Sequence, residues 1–266
     1  MGDVGAPTVD AHAHVFTRAM PFAADAHSRP AYDYPVETWL ADMGAHGITH
    51  GVIAAASLFD DGNAYTLAVL DAHPQLRGTV LLPPETGVAE LQALADGGVA
   101  GVRLTWRRLA ELPDLASEPW RGFLRRLADA GLHVELLAGG ASLPALLPPL
   151  LSSGVRLVVD HFGVPSRDPA ERAAGAEALL HAIDGGRTWA KLSAGFRLPW
   201  DLAEEVAARL LADAGPERLL WGSDAPFVNH EGTTDYAAAL ALYARLVPDP
   251  ATRRAIDATA LQLYFT

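Results

Sequence analysis

The chain has 266 residues, half of them apolar, with a formal net charge of −12 and no cysteine. That length suits two small domains or one α/β barrel, which commonly runs to about 250 residues. The charge argues against nucleic-acid and anionic-membrane partners, and the missing thiols exclude disulfides, thiolate-held zinc and a cysteine nucleophile.

No basic leader followed by an apolar run opens the sequence, and no apolar stretch reaches about 18 residues. The expectation is a cytoplasmic protein without a membrane segment, acting on a small molecule, with room for a homo-oligomer. Lys191 is the single lysine.

After a turn-like leader (Gly5, Ala6, Pro7), a first strand is expected over Thr8–His14. Residues two apart on a strand share a face, so His12 and His14 point together, with Asp10 one step behind. Residues 15–34 read as a long loop, functional or mobile. A helix over 35–46 carries Val36, Trp39, Leu40 and Met43 on one side, and Gly47 ends it. The apolar run 48–56 has the length and evenness of a strand buried on both faces.

The alternation then repeats. Helices are expected near 64–73, 88–96, 120–130, 143–151, 169–183 and 202–214, and strands at 76–82, 99–104, 132–137, 155–160, 188–192 and 219–221. Helices over 235–247 and 250–264 close the chain. Strand–helix units of this size favour a parallel sheet. Eight of them, with no linker, predict a single (β/α)8 barrel domain over residues 1–266.

In such a barrel the chemistry sits at the C-terminal strand ends, which meet around one mouth. Those ends carry His12 and His14, Ser57, Arg103 and Thr105, His161, Lys191 and Ser193, and Asp224. Three imidazoles and a carboxylate, drawn from His12, His14, His161 and Asp224, make a ligand set for one divalent ion such as Zn²⁺. His27, His46, His50, His73, His133, His181 and His230 fall mostly in helices and loops and are given no role. Arg107 and Arg108 read as solvated surface. Ser57, Ser193 and Ser223 lack the setting of a serine nucleophile.

Five stretches carry a resemblance: Val9–His14, Gly101–Arg103, Val159–Gly163, Lys191–Ser193 and Leu220–Pro226. Together they resemble the amidohydrolase superfamily, and within it the branch of 2-pyrone-4,6-dicarboxylate lactonase and related lactonases. The resemblance spans nearly the whole chain. It implies a distorted barrel and hydrolysis at its mouth, with catalytic roles for His12, His14, His161 and Asp224. It also implies substrate contacts at Ser57, Arg103, Arg197 and Asn229.

Two positions depart from the dicarboxylate lactonase. Val164 stands where it has an arginine, and Leu136 and Leu137 stand where it has a tyrosine. A less charged lactone is thus equally compatible. The bridging lysine of binuclear superfamily members has no counterpart at Arg103–Thr105, so the cofactor is expected to be none or one divalent ion (Zn or Mn).

Asp224 is the expected base, with Asp10 either orienting an imidazole or packing. A metal-dependent decarboxylase of the same superfamily is the alternative reading. A Schiff-base enzyme using Lys191 is a second rival.

Overall fold

The computed structural model describes residues 6–266. Gly5 of the leader, and residues 1–4 of the expected domain range, lie outside the described residues. Eight parallel strands form one sheet in sequential order. They are β1 (Val9–Ala13), β2 (His50–Ile53), β3 (Leu76–Val80), β4 (Val99–Thr105), β5 (His133–Leu137), β6 (Leu157–Val159), β7 (Thr188–Ser193) and β8 (Leu219–Gly222). The helices are α1 (Val36–Ala45), α2 (Gly62–Ala72), α3 (Val88–Asp96), α4 (Trp120–Asp129), α5 (Leu143–Ser152), α6 (Pro169–Asp184), α7 (Trp200–Asp213), α8 (Tyr236–Leu246) and α9 (Pro250–Phe265). The alternation is that of a (β/α)8 barrel. No helix among the described residues is long and apolar enough to cross a membrane.

The seam between β1 and β8 is the least regular part of the barrel. The Asp224 amide donates to the His12 carbonyl, and the His14 amide to that of Ala225, both at 2.8 Å. These bonds lie beyond β8, so the barrel closes at its mouth. Gly222 permits the approach: a Cβ there would stand 2.4 Å from His12 Cβ, far inside van der Waals contact. At the opposite end α9 forms the plug. Tyr264 and Ala260 pack with Val9, Ala11, Val52, Val158 and Leu220, and Asp257 accepts from the Thr8 and Val9 amides.

Two differences from the sequence reading bear on the site. The expected strand 48–56 pairs only over His50–Ile53. Beyond it the Ala54 amide still bonds across to Ala13 O of β1, but that of Ala55 turns to the Thr79 hydroxyl, so the chain leaves the ladder where it joins the mouth. In β1, pairing with β2 shifts register between Asp10 and Ala13. Such a shift interrupts the two-residue alternation. Asp10 therefore does not share the histidines' face: it accepts from Trp39 of α1 and Tyr236 of α8, in the layer between strands and helices.

Candidate active site

The strand ends are lengthened by single turns of 3-10 helix, Trp106–Arg108, His161–Gly163 and Gly195–Arg197, each following a strand end. They swing Arg107, Arg108, His161 and Arg197 over the mouth, where they line a cavity of about 440 Å³. Several rim residues reach their positions through left-handed backbone: His161 (φ 52°), Asp224 (φ 62°) and Asn229 (φ 68°). For non-glycine residues such conformations are uncommon and cost on the order of 1 kcal/mol or more each, and they cluster at functional sites.

The expected convergence is present. Asp224 Oδ1 lies 3.6 Å from His12 Nε2, 3.6 Å from His14 Nε2 and 3.9 Å from His161 Nε2. His14, His161, Ser57, Arg103, Arg197, Asp224 and Asn229 all line the cavity. His12 lies behind them, fully buried.

Each imidazole is steered from its other nitrogen. His14 Nδ1 bonds to the Ala54 carbonyl and His161 Nδ1 to the Ser193 hydroxyl, both at 2.8 Å. A carbonyl only accepts, so His14 carries its proton on Nδ1 and offers a lone pair at Nε2. Arg197 Nε donates to Asp224 Oδ2 at 2.9 Å, and its terminal nitrogens donate to the Val228 carbonyl. Asn229 Oδ1 accepts from Ser28.

Burial alone would raise Asp224. The close approach of His14, then the charges of His161, Arg197 and His12, outweigh it and hold the carboxyl far below the usual carboxylate range. Burial lowers His161 to about 4, against the opposing pull of Asp224. Burial and the neighbouring Lys191 hold His12 well below its ordinary value. All three groups therefore enter neutral pH as an ionised carboxylate and two neutral imidazoles.

Beneath this ring lies a layer that sequence reasoning missed. Arg103 Nε and Nη2 both donate to Asp160 Oδ2, at 3.0 and 2.9 Å, and Nη1 donates to Ala55 O at 2.7 Å. Arg103 Nε also stands 3.0 Å from Glu135 Oε1, an ion-pair contact without a hydrogen bond, since that oxygen has no hydrogen-bond partner. Lys191 Nζ donates to Glu135 Oε2 and lies 3.5 Å from Asp160 Oδ1. Glu135, Asp160 and Lys191 are fully buried and Arg103 nearly so.

Burial and the nearby Asp160 carboxylate push Glu135 up. Against the burial penalty, Arg103, His12 and Lys191 hold Asp160 well below its ordinary value. A lone glutamate in an apolar strand, on the inward face with His133, was the available signal. A buried charge requires a partner, and the single lysine was the one to pair with it.

Other residues part from their expected roles. Asp10 accepts from Trp39, Tyr236 and both the amide and hydroxyl of Ser223, and touches the backbone amide of His12 rather than an imidazole ring. It latches β1 to β8 and two helices. Lys191 is sealed under His12 and does not line the cavity, so no carbonyl substrate reaches it as a Schiff base would require. Arg107, Arg108 and His27 line the cavity's outer part. Burial, then Arg108, Arg107 and Arg197, lower His27.

The donor set fits a single divalent ion. Tetrahedral ligands about 2.1 Å from zinc stand about 3.4 Å apart, close to the spacings around Asp224 Oδ1. His12 Nε2 is a buried nitrogen without a hydrogen-bond partner. A candidate metal site of His12, His14 and Asp224 is thus present.

The Amidohydrolase family model matches residues 9–265. Among characterised relatives, 4-sulfomuconolactone hydrolase of Rhizobium radiobacter is 28% identical over 265 residues, covering 93% of this chain and 86% of its own. The 2-pyrone-4,6-dicarboxylate hydrolase of Comamonas testosteroni is 29% identical, covering 84% of this chain and 78% of its own. A crystal structure from Pseudomonas putida, provisionally named a 2-pyrone-4,6-dicarboxylic acid hydrolase, superposes with a TM-score of 0.88 at 36% identity, over 97% of both chains. With the family model matched over nearly its full length and that barrel shared, the chain belongs to the Amidohydrolase family.

Proposed function

We propose that the protein hydrolyses a lactone carrying at least one acid group, with Asp224 as the base. The observation that carries this reading is the placement of Asp224: Oδ1 stands among three imidazole nitrogens on the floor of the cavity. Four arginines line that cavity against two carboxylates, Asp25 and Asp224. In a chain of net charge −12, this is a local positive focus that draws an anion inward. The names of the two characterised hydrolases, both of which act on acidic lactones, support the same class. Leu137 gives one wall of the cavity an apolar face.

Hydrolysis needs an activated water, a polarised carbonyl and a proton for the leaving oxygen. Water attacks the lactone carbonyl carbon while Asp224 takes its proton. The ring C–O bond then breaks, and Asp224 returns that proton to the departing oxygen, giving a hydroxy acid or its keto form. A carboxylate held this far below its ordinary value is a weak acceptor from free water. The remaining residues must therefore supply the driving force by stabilising the oxyanion, where one well-placed donor contributes on the order of 3 kcal/mol. Arg103, which lines the cavity and has N–H groups beyond those engaged by Asp160 and Ala55, is the candidate donor to that oxygen.

A divalent ion such as Zn²⁺ or Mn²⁺, when bound, acidifies the water. His12, His14, His161 and Asp224 would hold it, His12 in its Nδ1-protonated form. Asp224 then moves the proton just as in its absence.

The test is a panel of sugar-acid and aromatic-pathway lactones assayed by acid release, with the parent and Asp224→Asn compared. Acid release by the parent and a loss of about a thousandfold or more in the variant are expected. Carbon dioxide release from candidate acids, with no lactone opened, would transfer the site to a decarboxylase.

A further inference from the structure

We infer that Lys191, seated under His12 at the centre of the barrel, is a positioning residue: it fixes His12 as the tautomer protonated on Nε2, turning that nitrogen into a hydrogen-bond donor facing Asp224. This deepens the reading of the site given above and rests on it for its catalytic meaning.

Three polar groups crowd His12 Nδ1. Lys191 Nζ is 3.1 Å away, Asp160 Oδ1 3.3 Å and Glu135 Oε1 3.9 Å. Of these, only the lysine contact has hydrogen-bond geometry, because Asp160 Oδ1 and Glu135 Oε1 have no hydrogen-bond partner. An ammonium has donors and no lone pair, so His12 Nδ1 must accept. A neutral imidazole that accepts at one nitrogen carries its proton on the other. The proton therefore sits on Nε2, the nitrogen that stands 3.6 Å from Asp224 Oδ1.

His14 is the contrast. It is two residues away on the same strand end, yet its Nδ1 faces a carbonyl. Its proton is on Nδ1, and its Nε2 accepts. One strand thus presents an N–H from His12 and a lone pair from His14 to the same carboxylate oxygen. At 3.6 Å this N–H faces Asp224 without a hydrogen bond in the resting site, so it is available to an oxyanion once Asp224 has taken its proton.

The same arrangement bears on metal binding. A nitrogen that carries a proton has no lone pair for an ion, so an ion held by His12, His14 and Asp224 would have to displace that proton, and Lys191 opposes the exchange. The ammonium is held in place by Glu135, with which it pairs wholly out of solvent.

The test is histidine side-chain ¹⁵N NMR on the parent and on Lys191→Met/Glu135→Gln, with His12 assigned by the signals absent from His12→Gln. The double substitution removes one buried cation and one buried anion together, avoiding the unpaired buried charge that a single change would leave. The parent is expected to show His12 protonated on Nε2. In the double variant the proton is expected to move to Nδ1, where Asp160 Oδ1 accepts it. The variant's kcat on an opened lactone should fall by about a hundredfold, with KM little changed.

A parent His12 protonated on Nδ1 overturns the inference, as does a double variant whose tautomer is unchanged. Should the double variant fail to fold, the parent spectrum alone decides. The spectrum needs no substrate, so failure of the lactone reading leaves this result standing.

Discussion

The barrel carries two clusters of charge, one under the histidine ring and one over it, and they obey opposite rules. Below, Lys191, Glu135 and Asp160 are sealed from water, Arg103 reaches it only at the cavity floor, and the four neutralise one another. Above, Arg107 and Arg108 are exposed at the cavity edge, where neither is among the residues that form an ion pair. Of the rim arginines, Arg197 is the exception, tied to Asp224. A buried charge without its partner is strongly destabilising, whereas an exposed one is worth little to stability. The lower cluster is thus committed to holding the site's shape, and the upper one is free to meet an anion that the protein does not itself supply.

Arg103→Met tests the lower cluster with the largest expected effect. It leaves Asp160 and Glu135 facing Lys191 alone, and denaturant unfolding should show a loss of about 3–5 kcal/mol. A loss under about 1 kcal/mol would mean the layer is not the structural element described here.

Acid should erode the same region. Burial, aided by Lys191, lowers His133 to about 3. Between that value and the ordinary 6.5 of histidine, the unfolded chain takes up a proton that the folded chain refuses. Its contribution is complete above pH 6.5 and falls away on acidification, at about 1.4 kcal/mol per pH unit. Urea midpoints measured at pH 7 and pH 5 in the parent and in His133→Leu should differ by less in the variant.

The upper cluster should answer differently. Arg107→Ala and Arg108→Ala are expected to raise KM for an acidic lactone by about tenfold with kcat little changed, and to leave stability within about 0.5 kcal/mol. Lost stability without a change in KM would erase the distinction between the two clusters.

The smallest effect is expected from Ser193→Ala, which frees the Nδ1 side of His161. A loss of several-fold in kcat and about 1 kcal/mol in stability is expected.

Much of the fold was legible because strand and helix periods differ and the alternation repeats around the whole barrel. The apolar run after Gly47 and the helix over 169–183 stood out, and the structure has that helix as α6, capped by Asp168. Boundaries slipped where strands reach the mouth, as at Ala54–Ala56, because there tertiary hydrogen bonds replace the ladder. Asp10 was placed with His12 by alternation, and the register shift in β1 undid that. Arg107 and Arg108 looked like surface, and His27 was given no role, because nothing in a loop's own sequence says which cavity it borders.

The sequence by itself determined the family and the barrel, and pointed to the convergence of His12, His14, His161 and Asp224, since those depend on residue type at a strand end and on strand order. Only the tertiary structure decided how these groups are tuned. Glu135, Asp160 and Lys191 lie on three different strands, or just beyond them, and meet under His12. Whether an imidazole gives or takes a proton depends on what faces its second nitrogen, and that neighbour comes from across the barrel.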